Sequence, residues 1–248
     1  MANSNKDRKD MSDKNVAEMH NALSWNKRGS DANDAGNYAF AIEAFTKSIE
    51  LIPDNADTYY CRGELYFRLN KYFKAIKDFN KSIEFNSDNV FAYSFRGLAY
   101  LKIKNFVKAV ENYSKMIELY PHIIFPYNKR GFAYNKLGEH QKAIEDYNRA
   151  ISLDSNFVRA YYNRALAYYD LENYHLAIED FTKVISLEPN HANAYNFRGI
   201  IYFIQGKDLL GYSDAKKASE LGICGLLELA KDKGMRPLIQ DVQCAKNN

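Results

Sequence analysis

The sequence predicts an all-α protein built as a solenoid of stacked helix pairs. First, a two-residue signature recurs at a fixed interval of 34 through most of the chain. Second, the apolar positions inside each interval keep the i, i+4, i+7 spacing of one helical face. Third, 12 Gly and 5 Pro in 248 residues are too few for an all-β chain, which needs a turn signal about every ten residues. A hydrophobic share of 46% and a charged share of 26% mark a foldable chain. The net charge of only +3 argues against nucleic acid as the main partner.

The signature is an Arg followed by a small residue: Arg28-Gly29, Arg62-Gly63, Arg96-Gly97, Arg130-Gly131, Arg164-Ala165 and Arg198-Gly199, with no insertion anywhere. In the first helix of each repeat an aromatic precedes the small residue by four: Trp25, Tyr59, Tyr93, Tyr127, Tyr161 and Tyr195. Three residues after it stand Tyr66, Tyr100, Tyr134, Tyr168 and Tyr202, with Ala32 in the first repeat. A short break follows, Ala35-Gly36-Asn37 in repeat one and Leu137-Gly138-Glu139 in repeat four. The second helix carries its own stripe, read in repeat five as Ala177, Ile178, Phe181 and Ile185. On its outer side Glu precedes a base by four at Glu43/Lys47, Glu111/Lys115, Glu145/Arg149 and Glu179/Lys183. Pro53, Pro121 and Pro189 close alternate repeats.

The small columns let paired helices approach closely, and the tyrosine columns are expected to fill the space around them. The Arg column is expected at the rim of the helix interface, paired with Asp78, Asp146, Asp180 and Asp214 on the second helices. One hairpin cannot bury its own apolar face, so the repeats must stack. In repeat six Gly211 and Ala215 replace the usual Ala and aromatic, so looser packing is expected there.

The expected domain boundaries are a polar segment 1–21, six repeats (22–55, 56–89, 90–123, 124–157, 158–191, 192–225) and a cap with tail at 226–248. The Val16, Met19 and Leu23 spacing extends the first helix back over 12–21. Ile223, Leu226, Leu227 and Ala230 read as a capping helix that covers the last apolar face, with Gly234 as its C-cap and 235–248 as a tail.

These repeats resemble tetratricopeptide repeats. The family pattern is met in repeat three by Tyr93, Gly97, Tyr100, Ala109, Tyr113 and Pro121, and in repeat one by Trp25, Gly29, Ala41, Phe45 and Pro53. Arg stands throughout where the family usually has Leu before the Gly. The resemblance implies a right-handed α-solenoid whose first helices line a concave groove. It also implies a non-enzymatic interaction scaffold that binds a peptide segment of a partner protein. By family geometry the groove positions include Asn26, Tyr60, Phe67, Phe91, Phe95, Asn128, Phe132, Tyr162, Asn163, Tyr169, Asn196 and Phe197. Amides inside helices can bond a peptide backbone with both donor and acceptor, and aromatic pockets between them take apolar side chains. The clamp that some members use on acidic chaperone tails is not matched: Asn163 fits its middle position, but Asn128, Phe132, Asn193 and Phe197 stand where Lys, Asn, Lys and Arg belong.

Two other readings are a self-assembling structural protein, as a homo-oligomer, and an RNA-binding helical repeat. The strict 34-residue period and the small charge disfavour the latter. No phosphate loop, dinucleotide fingerprint, zinc-ligand spacing or catalytic constellation is present, so no cofactor, metal or catalytic residue is expected. No stretch approaches the roughly 20 apolar residues of a membrane span, and the polar N-terminus has no secretory core. With three scattered cysteines, this gives the expectation of a reduced, cytoplasmic protein without membrane contact.

Overall fold

The computed structural model describes residues 2–232, with side chains for residues 16–231; the expected Gly234 cap and the 235–248 tail lie outside them. The chain divides into two compact units, Met1–Pro121 and His122–Asn248. The first holds α1 (Ala2–Asp34), α2 (Tyr38–Leu51), α3 (Ala56–Arg68), α4 (Tyr72–Phe85), α5 (Val90–Lys102) and α6 (Phe106–Leu119). The second holds α7 (Ile124–Lys136), α8 (His140–Leu153), α9 (Val158–Asp170), α10 (Tyr174–Leu187), α11 (Ala192–Ile204), α12 (Asp208–Glu220) and α13 (Gly225–Asp232). No strand occurs among the described residues, and the fold is an all-α helical-repeat solenoid. Within each unit a second helix packs on its own first helix and on the next one, as α4 does on α3 and α5 and α10 does on α9 and α11. The first helix α1 begins at Ala2, earlier than the apolar spacing indicated. No Pro interrupts residues 2–34, and the only Gly among them is Gly29.

Each hairpin turns through one residue in the left-handed region, again at intervals of 34: Gly36, Asn70, Lys104, Gly138, Glu172 and Gly206, with φ between 58° and 78°. The next N–H donates to the carbonyl five residues back, as Lys71 does to Tyr66 and Asn173 to Tyr168, both at 2.8 Å, satisfying the helix end. Only glycine adopts this conformation without strain, yet three of the six turns use Asn, Lys or Glu.

The core is a ring-on-glycine contact repeated along the chain. Phe45, Phe79, Tyr113, Tyr147 and Phe181 of the second helices are buried, as are Ala41, Ala75, Ala109, Ala143 and Ala177. A Cβ on Gly63 would lie 2.8 Å from Phe79 Cε1, and one on Gly131 would lie 2.7 Å from Tyr147 Cε1. Those rings occupy the space a side chain would take. In the last repeat no ring lies on the small residue: Gly199 faces the Gly211 carbonyl oxygen, Leu226 and Asp214, 3.1–3.2 Å from where its Cβ would be. Phe203 of α11 packs instead on the second small residue of that pair, its ring 2.8 Å from where a Gly211 Cβ would be. Ala215 is fully buried.

The tyrosine columns do something other than fill the core. They are mostly half-buried and flank the Arg column: Arg62 lies 5.7 Å from the Tyr59 ring and 6.0 Å from Tyr66, and Arg198 lies 5.7 Å from Tyr195 and 5.9 Å from Tyr202. Four of the six guanidinium groups fork onto an Asp sixteen residues later. Arg164 Nε and Nη2 donate to the two Asp180 carboxylate oxygens, each at 2.7 Å, and Arg62–Asp78, Arg130–Asp146 and Arg198–Asp214 repeat the geometry. The remaining arm reaches sixteen residues back to the previous second helix: Arg62 Nη1 to Thr46 at 3.0 Å, Arg164 Nη1 to Asn148 at 2.5 Å and Arg198 Nη1 to Thr182 at 2.9 Å. One side chain thus fastens three helices. Arg96 alone in this series meets only amides, Asn112 Oδ1 at 2.7 Å and Asn80 Oδ1 at 2.7 Å. Burial pushes the Asp146 and Asp180 carboxyls up, and the bonds from Arg130 and Arg164 pull them only part of the way back.

The outer charge pairs follow a different register from the expected one. Glu43–Lys47 forms at 2.7 Å, but Glu111 is taken by Lys108, Lys115 by Glu118, and Glu179 faces His175. On an exposed helix surface the i+3 and i+4 neighbours are both in reach of a flexible Lys, and either pair is worth only a few tenths of a kcal/mol.

Two predictions follow from this packing. Glu172→Gly, which removes the left-handed strain, should raise the thermal midpoint and stabilise by about 0.5–1 kcal/mol in denaturant titration, whereas Gly138→Ala should destabilise by a similar amount. Arg164→Met strands a buried Asp180 and should destabilise by about 3 kcal/mol; adding Asp180→Leu should recover most of that loss, measured as a double-mutant cycle.

Candidate functional site

In the first unit, α3 and α5 bring Tyr60, Phe67, Phe91 and Phe95 into one cluster. Ring centroids lie 5.5 Å apart for Phe67–Phe95, 6.0 Å for Tyr60–Phe95 and 6.2 Å for Tyr60–Phe91. Buried Phe79 of α4 underlies it, 6.0 Å from Phe95. Tyr60, Phe67 and Phe95 are half-buried, whereas Phe91 is 63% exposed. Burial, followed by the nearby Glu64, pushes the Tyr60 phenol above its ordinary range. Asn26 spends its amide donor on Thr58 Oγ1, at 2.5 Å, and ties α1 to α3.

The second unit repeats the arrangement on α9 and α11. Phe197 lies 6.0 Å from Tyr169 and 6.4 Å from Tyr162, and stacks on buried Phe181 at 5.9 Å with the rings 10° from parallel. His191 lies 4.9 Å from the Tyr162 ring. Asn163 Nδ2 donates to Asn128 Oδ1 at 3.0 Å, tying α9 to α7. Asn128 is only 4% exposed, so its expected role of presenting an amide to a ligand is corrected: it holds Asn163 in place instead. Asn163 and Asn196 are half-buried, and Phe132 of α7 is half-buried with Lys136 Nζ 5.6 Å from its ring centre.

Sequence reasoning missed a cavity of about 620 Å³ beside Asn196, lined by Ile200, Phe203 and Ile204 of α11 and by Ile223, Leu226 and Leu229 near and on α13. The capping helix was expected to cover this apolar face. Among the described residues α13 covers part of it: Leu227 and Ala230 are buried and Leu229 is exposed. Among the described residues no three His, Cys, Asp or Glu side chains converge as metal ligands, and no helix is long and apolar enough to cross a membrane.

The family model for the tetratricopeptide repeat matches residues 56–89 and 158–191, and a second, for the TPR repeat, matches 29–70 and 131–172. The chain belongs to the tetratricopeptide-repeat family. Among solved structures, the MamA protein is similar at 28% identity with a TM-score of 0.66, over 70% of this chain and 94% of that one. YrrB, a TPR protein with an unusual peptide-binding site, aligns at 23% identity and TM-score 0.65, over 77% of this chain and 99% of its own. A tetratricopeptide repeat protein from Parabacteroides merdae aligns at 20% identity and TM-score 0.74, over 87% and 89% respectively. The last two are likenesses of fold. No curated protein sequence matches the chain.

In this TPR chain the Arg that replaces the family's Leu is explained at positions 62, 130, 164 and 198 by its Asp partners on the second helices. TPR proteins are generally interaction scaffolds, and the aromatic clusters lie on the first helices. Cys61, also on α3, is a half-buried thiol pushed up to about 11 by desolvation and then by Glu64 and Asp57. Against its ordinary value of 9.0, the thiolate fraction at pH 8 falls about 100-fold. Alkylation of Cys61 by iodoacetamide, followed by peptide mapping at pH 8, should be slower by at least that factor in the native chain than in denaturant.

Proposed function

We propose that this TPR chain is a non-enzymatic scaffold that holds a peptide segment of a partner protein against the first-helix faces. The observation that carries the reading is Phe91, a large aromatic left 63% exposed at the edge of the Tyr60–Phe67–Phe95 cluster. Burial of the other rings against Phe79 is explained by packing; the exposure of Phe91 is not, and exposed apolar surface of this kind marks interaction sites. In the second unit, the half-buried amides of Asn163 and Asn196 flank the Tyr162–Phe197 cluster and supply the polar complement. Aromatic anchors beside an amide suit an extended segment with apolar side chains at intervals and a backbone free to bond. YrrB is a TPR protein with a peptide-binding site, but at 23% identity it lends this reading only the shared fold.

Peptides selected from a display library on the wild-type chain should bind about tenfold more weakly to Phe91→Ser or Asn196→Ala, with the melting temperature of each variant essentially unchanged. Selected binders that keep full affinity for both variants would remove the first-helix faces from consideration.

A further inference from the structure

The net charge of +3 conceals a concentration of one sign. Residues 65–77 and 98–110 span the turns that join α3 to α4 and α5 to α6, and together they hold seven Lys and Arg and no Asp or Glu. The equivalent stretches of the other repeats, 31–43, 132–144, 166–178 and 200–212, hold three Lys and seven Asp or Glu. Arg68 is taken by Glu64 and Lys108 by Glu111, each on its own helix. Lys71, Lys74, Lys77, Lys102 and Lys104 are exposed and make no ion pair among the described residues. Tyr60 meets Phe91 and Phe67 meets Phe95, so α3 and α5 run in the same direction and set both turns on one edge of the first unit. On that edge Phe73 and Val107, each the second residue of its helix, are 76% and 57% exposed. Leu69, at the turn before Phe73, is exposed as well.

We propose that this edge docks the chain on the surface of a lipid bilayer rich in anionic headgroups, with Phe73, Val107 and Leu69 inserted among the lipids and the lysines set against the headgroups. The occupant is named by charge complementarity and by the kind of apolar residue exposed. Lysines with no protein acid to meet are drawn to a negative surface, each strengthening binding about fivefold. Their long stems keep the charges at headgroup level while the neighbouring apolar tips go deeper. Single-stranded nucleic acid is bound on rings that stack with its bases, and Val107 and Leu69 offer none. A polyacidic peptide would meet the lysines and leave Phe73 and Val107 in water. Apolar exposure alone does not make such an edge: Leu209 stands at the same place in repeat six, 82% exposed, but the charges of Lys207 and Asp208 beside it cancel. No helix among the described residues is long and apolar enough to cross a membrane, and surface docking requires none. The proposal is independent of peptide binding by the first-helix faces.

The test is co-sedimentation of the full chain with phosphatidylcholine vesicles containing about 30% phosphatidylserine, against vesicles of phosphatidylcholine alone, at about 0.1 M salt. Two double variants are compared with it: Lys71→Glu with Lys104→Glu, and Phe73→Ser with Val107→Ser. Glu already stands at the two corresponding turn positions in other repeats, as Glu139 and Glu172, so the charge reversal fits the fold. The chain should bind the anionic vesicles at least about tenfold more tightly than the neutral ones and release them at about 0.5 M salt. The charge reversal should weaken binding about 25-fold or more and the Ser variant about tenfold, while Leu209→Ser leaves it unchanged. No binding to the anionic vesicles, equal binding to both kinds, indifference to either double variant, or an equal loss in Leu209→Ser overturns the proposal. So does a labelled single-stranded oligonucleotide or polyglutamate peptide that binds more tightly than the vesicles and whose binding the charge reversal removes. Melting curves accompany each variant, and Phe73→Ser alone carries the apolar arm if the double Ser variant does not fold.

Discussion

A guanidinium group that fastens three helices sets the geometry on which everything else in this chain depends. Its fork meets a carboxylate sixteen residues ahead on its own hairpin, while its remaining arm meets a hydroxyl or amide sixteen residues behind on the preceding one. Both contacts require a fixed hairpin length, and the uninterrupted period of 34 reflects that requirement. Arg suits the position and Lys does not, because only a planar fork can bond side-on to a carboxylate and also lie against the tyrosines on either side. The ion pairs contribute more to register than to net stability, since the Asp146 and Asp180 carboxyls lose more on burial than the guanidinium returns.

With register fixed by the clasp, the first helices are free to carry rings that the core does not need. The buried aromatics of α4 and α10, Phe79 and Phe181, serve as floors on which Phe95 and Phe197 rest. A second layer of aromatics therefore stands on the first, and its outer edge is where the chain meets its surroundings. The hydrogen bonds Asn26–Thr58 and Asn163–Asn128 join successive first helices on the same side, so the layer is held by polar ties as well as by ring contacts.

The fold was legible because close packing leaves a one-to-one imprint in sequence. A ring lying where a Cβ would go calls for a small residue, and a Gly or Ala every 34 residues can be read without coordinates. The Arg–Asp partnership was legible for the same reason, as a fixed offset between two columns. The site was legible only in outline, since exposure is decided by neighbours distant in sequence. Asn128 looks like any other amide on a first helix until Asn163, 35 residues away, is seen bonded to it. Phe203 lies on Gly211 of the last repeat, a contact made from the first helix that no column records. The cavity beside Asn196 depends on where α13 lies, which its four apolar residues do not specify.

The clasp at Arg96 differs from the rest because its acceptors are neutral. Asn112 accepts from Arg96 Nε through its carbonyl oxygen while its amide donates to the Lys108 carbonyl at 2.7 Å, so no charge opposes the guanidinium. Burial pushes the Arg96 guanidinium down, the opposite direction from Arg62, Arg130, Arg164 and Arg198. In an array whose stability is a sum of nearest-neighbour terms, the weakest fastening determines where breathing begins. The α5–α6 hairpin is thus the natural edge of a cooperative block in the first unit, and its amides should exchange with solvent before those of α3 and α4.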